Sequence, residues 1–464
     1  MTSAIKRRIA QLRHGQVPKG YQMTRLGIVP SDWVMFRIGD CLERVERPVE
    51  VQADKLYTQI GIRSHGKGLF YKEQVTGAEL GNKAVFWIEP NCFILNIVFA
   101  WEQAIGKTTQ AEEGMIGSHR FPMYRPFNNR VDIDYLINYF LTKRGTEILE
   151  AASPGGAGRN KTLGQDRFLK SKVILPPLAE QRKIAKILAT QDKVIELLNR
   201  KIEQLKLLKK YYLRKMFPQH GKTEPEVRFP GFTGAWEKHQ LGEIVSFSKG
   251  NGYSKADLKA TGTPIILYGR LYTKYEMEVS DVDTFAMAKP GSVYSHGDEV
   301  IVPASGETAE DIAVASVVKQ SGILLGGDIN ILTPSSDVDS LFMAISLSGG
   351  SAHGDVIKMA QGKSVVHLHQ TDLRKVVLAY PTLSEQMRIN GYFRHLERLI
   401  ALNQHKQDEE VRKKKALMQL LLTGIVRVRG AESGVAKRLP ADRNLLASGK
   451  QIRKERAKCR RIYQ

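Results

Sequence analysis

The sequence predicts an α+β protein in which two strand-and-loop-rich domains are separated by two long helices packed as an antiparallel coiled coil. Three observations support this fold class. One stretch of sequence occurs twice, each copy has helical periodicity, and short apolar runs broken by Gly, Pro, Asn and Asp precede each copy. The chain has 464 residues, which is enough for two or three domains that each bury a core.

The two copies of the repeat run from Leu175 to Phe217 and from Tyr380 to Leu422, and they align without a gap at a spacing of 205 residues. The identical pairs near their starts are Pro176 and Pro381, Leu178 and Leu383, Glu180 and Glu385, Gln181 and Gln386, and Ile184 and Ile389. The sequences between the repeated frames look unrelated. A protein that recognises two different targets with one architecture would have this pattern.

The first repeated segment predicts one long helix over residues 181–217, because this range lacks Pro and Gly and Pro176–Pro177 disfavour an earlier start. Apolar residues at alternating three- and four-residue steps predict a coiled-coil seam. The seam positions are Leu188, Ile195, Leu198, Ile202, Leu205 and Tyr212. Two polar residues, Gln191 and Lys209, interrupt it.

The second segment keeps an apolar face at Phe393, Leu396 and Ile400, turns polar, and becomes apolar again near Leu417. Gly391 near its start predicts a kink or a delayed start of this helix. Two amphipathic helices that pack separately on their own domains are the alternative. Mutual packing is favoured, since each helix would otherwise expose a long apolar stripe.

These patterns divide the chain into seven segments. They are an N-terminal helical segment (1–25), a first domain (26–175), a spacer helix (176–218), a linker (219–235), a second domain (236–379), a second spacer helix (380–424) and a basic tail (425–464). Within the first domain, Tyr135–Glu150 is predicted to be helical.

The composition points to a polyanionic partner. The formal net charge is +22, and the tail supplies only part of it, with twelve Lys and Arg residues against three acidic ones. A basic protein without such a partner is the alternative. No long uncharged apolar run and no secretory leader is recognisable, and the three cysteines are far apart. The sequence therefore predicts a cytoplasmic protein without a membrane span, a disulfide framework or a cysteine-based zinc site.

Catalytic motifs are missing from the sequence. Two stretches resemble a phosphate-binding loop, Gly155–Thr162 and Gln361–Ser364, but each lacks a required glycine. These basic, glycine-rich loops either contact DNA phosphates or simply turn the chain. No adenine methyltransferase motif and no glycine-rich cofactor fingerprint is recognisable.

Two other patterns are weak as catalytic or metal-binding signals. Asp257 and Lys259 form a D-x-K pair without the upstream Pro-Asp of common nucleases, so a chance surface pair is the better interpretation. His367 and His369 alternate as metal ligands can, but few Cys or carboxylate partners lie nearby, which favours ordinary polar contacts. The sequence predicts no catalytic residue, no metal and no cofactor in this chain.

The openings PPLAEQRKI and YPTLSEQMRI, the helices behind them and the stretch RFPGFTGAW resemble the specificity subunit of type I restriction–modification enzymes. The resemblance covers about residues 5–424. It departs from the family pattern at Tyr380–Thr382, at Asn390–Gly391 and in the basic tail. It implies that the two domains are target-recognition domains that each read one half of a bipartite double-stranded DNA target, while the helices set the gap.

The resemblance also implies the partners. Two methyltransferase (modification) subunits would dock on the helices, so the apolar residues named above for the two helices would form both the helix–helix contact and the subunit interface. Motor–nuclease (restriction) subunits would join them. S-adenosylmethionine, ATP and Mg²⁺ would act in those partners, which methylate adenine and cleave DNA.

Candidate DNA contacts are loop residues whose side chains can bind base edges or phosphates, since Arg and Lys suit guanine and Asn suits adenine. In the first domain they are Arg63, His65, Lys67, His119, Arg120 and Arg125. In the second domain they are Lys249, Asn251, Lys255, Arg270, Tyr272 and Lys274. Each is also compatible with a solvated surface position.

Two other classes of function remain open. A self-sufficient nuclease would cut DNA in a metal-dependent assay of the purified chain. A protein scaffold with incidental basic charge would lack the steep salt dependence of phosphate binding.

Overall fold

The computed structural model describes residues 2–155, 161–219, 221–362 and 365–428. Within these residues the chain divides into two compact units. Unit 1 contains the residues up to Leu197 together with those from Lys406 onward, and unit 2 spans Leu198–His405. The basic tail beyond residue 428 lies outside the described residues.

Unit 1 begins with a helix and then alternates strands with short helices. Its strands are β1 (Tyr21–Thr24), β2 (Gly27–Pro30), β3 (Val34–Arg37), β4 (Leu42–Val45), β5 (Leu56–Ile62), β6 (Leu69–Thr76), β7 (Val85–Trp87), β8 (Phe93–Leu95), β9 (Ile105–Lys107), β10 (Ile116–Ser118), β11 (Met123–Pro126) and β12 (Lys172–Leu175). Its helices are α1 (Ser3–Arg13), α2 (Gly77–Leu80), α3 (Ile133–Phe140), α4 (Lys143–Ala151) and α5 (Gln165–Lys170), followed by the long α6 (Leu178–Lys215), which continues into unit 2.

Unit 2 repeats this alternation. Its strands are β13 (Glu237–Gln240), β14 (Val245–Lys249), β15 (Leu258–Lys259), β16 (Thr263–Ile266), β17 (Glu278–Val279), β18 (Phe285–Ala286), β19 (Val300–Pro303), β20 (Ser305–Gly306), β21 (Ser316–Val318), β22 (Leu324–Leu325), β23 (Ile329–Pro334), β24 (Val366–His367) and β25 (Val377–Tyr380). Its helices are α7 (Leu241–Ile244), α8 (Arg270–Thr273), α9 (Ala309–Ile312), α10 (Ser340–Gly349), α11 (His353–Met359) and α12 (Gln370–Leu373), followed by the long α13 (Leu383–Leu422), which returns to unit 1.

The two units have the same sheet plan although their sequences differ. In unit 1 one sheet has the order β4-β11-β8-β9, and in unit 2 the corresponding sheet has the order β14-β23-β19-β21-β17. A second sheet in each unit contains one parallel pair, β5 with β10 and β16 with β22. A short antiparallel pair, β3 with β12 and β13 with β25, leads directly into each long helix. The domain sequences that precede the two long helices look unrelated, but they therefore form one common architecture.

Each unit has an aromatic core at the base of its long helix. In unit 1, Phe168 lies 5.6–6.2 Å, centroid to centroid, from the rings of Phe93, Tyr124 and Phe140. In unit 2, Phe217 lies 5.5–6.2 Å from the rings of Trp236, Phe342 and Phe393. Trp33 in unit 1 and Trp236 in unit 2 are both buried. These cores fix the strands on which the surface loops stand.

The long helices pack against each other in antiparallel orientation, as predicted. In unit 1, buried Gln191 donates to the backbone oxygen and the carboxylate of Glu410. In unit 2, Lys209 pairs with Glu397. The two polar residues that interrupt the seam thus have polar partners on the opposite helix, which removes most of the cost of burying them.

The predicted seam residues lie on the packed face of α6 and α13. Leu188, Leu198, Ile202, Phe393 and Leu396 are buried, and Ile195, Leu205, Tyr212, Ile400 and Leu417 are partly buried. The core of unit 1 includes Leu188 with Leu417 packed beside it, and the core of unit 2 includes Phe393 and Leu396 with Leu205 and Tyr212 packed beside them.

The prediction of a single helix over Tyr135–Glu150 was wrong, because the structure has two helices there. The hydroxyl of Thr142 accepts from the backbone N–H of Gly145 and begins α4. A Cβ at position 145 would lie 2.2 Å from the carbonyl oxygen of Tyr139, so only glycine permits this close approach of the chain to the end of α3.

The predicted delayed start of the helix at Gly391 was also wrong, whereas the predicted kink stays a prediction. Helix α13 begins at Leu383, the repeat partner of Leu178 at the start of α6, and continues without a break. Gly391 is exposed, and a Cβ there would meet nothing within 4 Å. Its cost is limited to helix propensity, about 1 kcal/mol, which the packing of Phe393 and Leu396 outweighs.

Candidate nucleic-acid interface

Three loops of unit 1 hydrogen-bond to one turn, residues 96–104, which we name the unit 1 hub. The loops are residues 63–68 after β5, residues 118–121 after β10, and residues 161–163. The backbone bonds are His65 N to Glu102 O (2.8 Å), Gly66 N to Gln103 O (2.9 Å), Ile97 N to Arg120 O (3.0 Å) and Leu163 N to Ile97 O (2.8 Å). The two predicted DNA-contact loops of the first domain are thereby brought to one place.

Most of the candidate side chains of unit 1 are exposed around this hub. Lys67, His119 and Arg120 are exposed. Arg63 donates to Leu69 O (2.7 Å) and its guanidinium lies 4.9 Å from the centroid of the Phe70 ring, so its orientation is fixed. His65 is exposed and adopts a φ of 60°, the left-handed region.

Arg125 lies apart from the other candidates because it projects from β11. Its guanidinium pairs with Glu89 at 3.0 Å and approaches Glu43 at 4.0 Å. About half of the side chain is nevertheless exposed. DNA would have to compete with these carboxylates for Arg125.

Unit 2 has the same junction. Ala304 N donates to Asp328 O (2.8 Å), and Leu368 N donates to Ala304 O (2.9 Å). These bonds correspond one to one with those of Ile97 in unit 1. We name residues 304–308 the unit 2 hub. Residues 268–274, which include the candidates Arg270, Tyr272 and Lys274, follow β16. Because β16 corresponds to β5, they occupy the same place in the sheet plan as residues 63–68.

The candidate residues of unit 2 differ in how strongly the protein itself engages them. Arg270 is 10% exposed and donates to Glu276 (2.9 Å), Asp283 (2.5 Å) and the carbonyl oxygen of Asp281 (2.9 Å). Lys274 also pairs with Asp283 at 3.2 Å. Hydrogen bonds from these two cations lower the pKa of the Asp283 carboxyl to about 2. Arg270 thus holds its loop in place, and it can reach DNA only by breaking these bonds.

The other candidates of unit 2 are more accessible. Lys249, Asn251 and Lys255 are exposed, and the Asn251 amide donates to Gly291 O at 3.0 Å. Tyr272 is partly buried, and burial raises the pKa of its phenol. The structure therefore separates the predicted set into exposed side chains and loop-fixing side chains, of which Arg270 is the clearest case.

The other sequence signals have structural partners or lie partly outside the described residues. Asp257 accepts from Ser254 N (2.7 Å) and pairs with Lys289, which lowers the pKa of its carboxyl to about 2. The rings of His367 and His369 stack at 6.0 Å. In the described part of the chain, no three His, Cys, Asp or Glu residues form a group suited to a metal ion.

Both phosphate-loop-like stretches are described only in part, because residues 156–160 and 363–364 lie outside the described residues. None of the helices that the structure describes is long and apolar enough to cross a membrane.

Sequence reasoning identified the repeated Glu-Gln pair but not what it does. Gln181 is fully buried; its side-chain oxygen accepts from Asp132 N (2.9 Å), and its amide donates to Arg130 O (2.8 Å) and Pro176 O (2.9 Å). Gln386 makes the same three bonds, to Asp339 N (2.8 Å), Asp337 O (2.9 Å) and Pro381 O (2.7 Å). Each glutamine ties its long helix to the segment that follows the sheet.

The adjacent glutamates each bind an arginine. In unit 2, Glu385 is 2% exposed at its side chain and accepts two bonds from Arg228, both at 2.7 Å. In unit 1, Glu180 pairs with Arg427 at 2.7 Å, and Arg427 also binds Asp32. These two ion pairs raise the pKa of the Arg427 guanidinium despite its burial. The identical Glu at both repeat positions was the signal for these sites, but the arginines carry no repeat signal.

Comparison with known proteins agrees with this architecture. Residues 30–207 match the family model described as the type I restriction modification DNA specificity domain. The chain is 22% identical over 418 residues to the type I restriction enzyme MjaVIII specificity subunit of Methanocaldococcus jannaschii. The alignment covers 86% of this chain and 94% of that relative.

Two solved structures have a similar fold. One is a chain from a structure concerned with complex assembly and conformational transition of the type I R-M system, with 18% identity, coverage of 86% of this chain and 99% of that chain, and a TM-score of 0.54. The other is the S subunit of the type I restriction-modification system of M. genitalium, with 14% identity, coverage of 84% and 96%, and a TM-score of 0.51.

Proposed function

The chain belongs to the specificity subunits of type I restriction–modification enzymes, and from this premise we propose that each unit reads one half of a bipartite duplex DNA target. The target-recognition domains would be residues 26–175 and 236–379. The observation that carries the proposal is the repeated sheet plan with different loops at equivalent places. A shared frame with different contact residues suits two readers of different half-sites on one ligand.

The exposed candidates around the two hubs support a DNA partner. Cationic and amide side chains on loops fixed by backbone hydrogen bonds can bind phosphates and base edges without reorganising. We propose Arg63, His65, Lys67, His119 and Arg120 as the contact set of unit 1. The contact set of unit 2 would be Lys249, Asn251, Lys255, Tyr272 and Lys274. Arg125 and Arg270 would act mainly by holding neighbouring groups in position.

The long helices would set the gap between half-sites and dock two methyltransferase subunits. Their lengths, 38 and 40 residues, correspond to roughly 57–60 Å, which exceeds the 34–36 Å of one duplex turn. Leu197 and Leu402 occupy the same repeat position and are 58% and 55% exposed. Two equivalent exposed leucines suit two copies of one partner.

Catalysis would belong to the partners. Specificity subunits are non-catalytic, and we propose that methyl transfer from S-adenosylmethionine to adenine occurs in the modification subunits. ATP- and Mg²⁺-dependent translocation and cleavage would occur in the restriction subunits. The proposed complex acts on DNA in the cytoplasm.

The test is to co-express the chain with a methyltransferase subunit and map N6-methyladenine across the host DNA. We expect one split motif with a constant unread gap. Methylation without a split motif, or no methylation from a complex that forms, would contradict the bipartite reader. A steep loss of DNA binding with added salt would separate DNA recognition from a protein scaffold.

Shortening both helices is expected to shorten the gap. Leu396 belongs to the core of unit 2 and Leu205 packs against that core, so residues 205–208 and 396–399 would be deleted together to keep the helices paired. One turn removes about 6 Å, and the base-pair rise of 3.4 Å converts this to a gap shorter by about one or two base pairs. A randomised-spacer selection measures the gap, and an unchanged gap in a folded variant would refute the role as a spacer.

Replacing an exposed leucine of the helices with lysine is expected to weaken docking. L197K and L402K should each lower methyltransferase affinity about tenfold, because a charge would be buried at the interface, and together they should abolish the complex with two methyltransferase copies. Native mass spectrometry counts the copies. L56K, at a 57% exposed strand position, is the matched control. Two copies bound to the double variant would exclude this docking site.

A further inference from the structure

An exposed aromatic side chain, Phe99, stands on the unit 1 hub. Phe99 is 37% exposed, whereas its neighbour Ala100 is fully buried. The backbone around it is closed by hydrogen bonds from Phe99 N to Asn96 O (3.0 Å), Glu102 N to Phe99 O (3.0 Å) and Ala104 N to Phe99 O (3.1 Å). The ring is therefore presented to solvent by a fixed turn.

Three loops that carry cationic side chains contact the hub on which this ring stands. The carbonyl oxygen of Arg120 accepts a hydrogen bond from the N–H of Ile97, which lies two residues before Phe99. Lys161 lies with its ammonium 5.2 Å from the centroid of the Trp101 ring, two residues after Phe99. Arg63 belongs to the loop that bonds to residues 102 and 103. The acidic group of the hub, Glu102, accepts from the Ser64 hydroxyl at 3.0 Å. An exposed apolar ring on a hub that is contacted by three cation-bearing loops suits a ligand that is anionic outside and apolar at its centre.

Duplex DNA has this distribution of charge, with phosphates outside and base edges in the groove. A phenylalanine ring cannot hydrogen-bond to a base edge. The one apolar group on the major-groove edges is the 5-methyl group of thymine. We propose that Phe99 recognises a thymine in the half-site of unit 1 by packing on this methyl group. The proposal rests on the proposed function of unit 1 as a reader of DNA.

The second unit supplies an internal control. Ile97 and Ala304 make equivalent bonds in the two hubs, so Phe99 corresponds to Gly306. A Cβ at Gly306 would lie 2.5 Å from the side chain of Ile312. Unit 2 thus has no side chain at this place, and the thymine contact should be confined to the half-site of unit 1.

The experiment uses the complex of the full chain with its methyltransferase subunit and duplexes of the mapped target. Each thymine of both half-sites is replaced singly by deoxyuridine, which removes only the methyl group. With the native chain, one replacement in one half-site should weaken binding about fourfold, the effect of burying one methyl-sized group. With F99A this replacement should have no further effect, whereas F99L should retain part of it. F127A is the matched control. Phe127 is 41% exposed and follows the end of β11, whereas the hub lies near the start of that strand.

The outcomes separate two failures. If the native complex binds no bipartite target, the proposed function fails. If the native complex binds the target but F99A changes the effect of none of the deoxyuridine replacements, the thymine contact is refuted. The proposed function of unit 1 as a reader of DNA then still stands. Coupling in both half-sites equally would also refute it. Increased fluorescence of 2-aminopurine beside the target, present with Phe99 and absent with F99A, would assign the ring to insertion between bases and overturn the methyl contact.

Discussion

Replacing Arg228 with alanine is expected to lower the free energy of unfolding by about 3–5 kcal/mol, because it leaves the Glu385 carboxylate buried without its counter-charge. The Glu385 side chain is 2% exposed, and Arg228 covers it with two hydrogen bonds of 2.7 Å. Arg228 also donates to Gly234 O (2.6 Å), so the linker would be released as well. Denaturant unfolding of the full chain measures the loss.

The controls separate charge burial from ordinary surface effects. K206A removes an exposed ion pair with Glu203, whose side chains are 55% and 66% exposed, and should cost less than about 1 kcal/mol. R228L/E385Q removes both charges and should recover much of the loss. A change below 1 kcal/mol for R228A would contradict the role that we assign to this pair. R427A tests the corresponding pair of unit 1.

Replacing Gln386 with leucine is expected to cost roughly 3 kcal/mol or more, because three buried backbone groups lose their partners at about 1–3 kcal/mol each. Those groups are Asp339 N, Asp337 O and Pro381 O. Leucine is similar in size to glutamine, so the loss would measure hydrogen bonding rather than a cavity. Thermal or denaturant unfolding reports it.

Q386E should be at least as harmful, since a carboxylate would face two carbonyl oxygens. Q181L is the matched variant of unit 1, and we expect it to weaken recognition of one half-site more than the other. Q204L, at an exposed position of α6, should stay within about 0.5 kcal/mol of the native chain. Equal stability of Q386L and Q204L would show that the repeated glutamine does not fix the helix to the domain.

The signals that sequence reasoning used for the site were local ones. Loop residues such as Lys67 and Arg120 were recognised as possible contacts from residue type alone, and both lie exposed on loops bonded to one hub. Arg270 has the same signal but is held by carboxylates 6 and 13 residues away. Phe99 was missed because an exposed aromatic ring cannot be distinguished from a core residue in an apolar run.

The sequence by itself determined the repeat, the family resemblance, the two long helices and their pairing. These features depend on periodicity and on proline positions, which act over a few residues, and on identities such as Gln181 and Gln386 that recur at a fixed spacing. Only the tertiary structure decided the common sheet plan of the two middles, because strand order depends on contacts between distant segments and burial tolerates many apolar sequences. It also decided that Arg427 meets Asp32, 395 residues away, since no local pattern records which charged side chains meet when the chain folds.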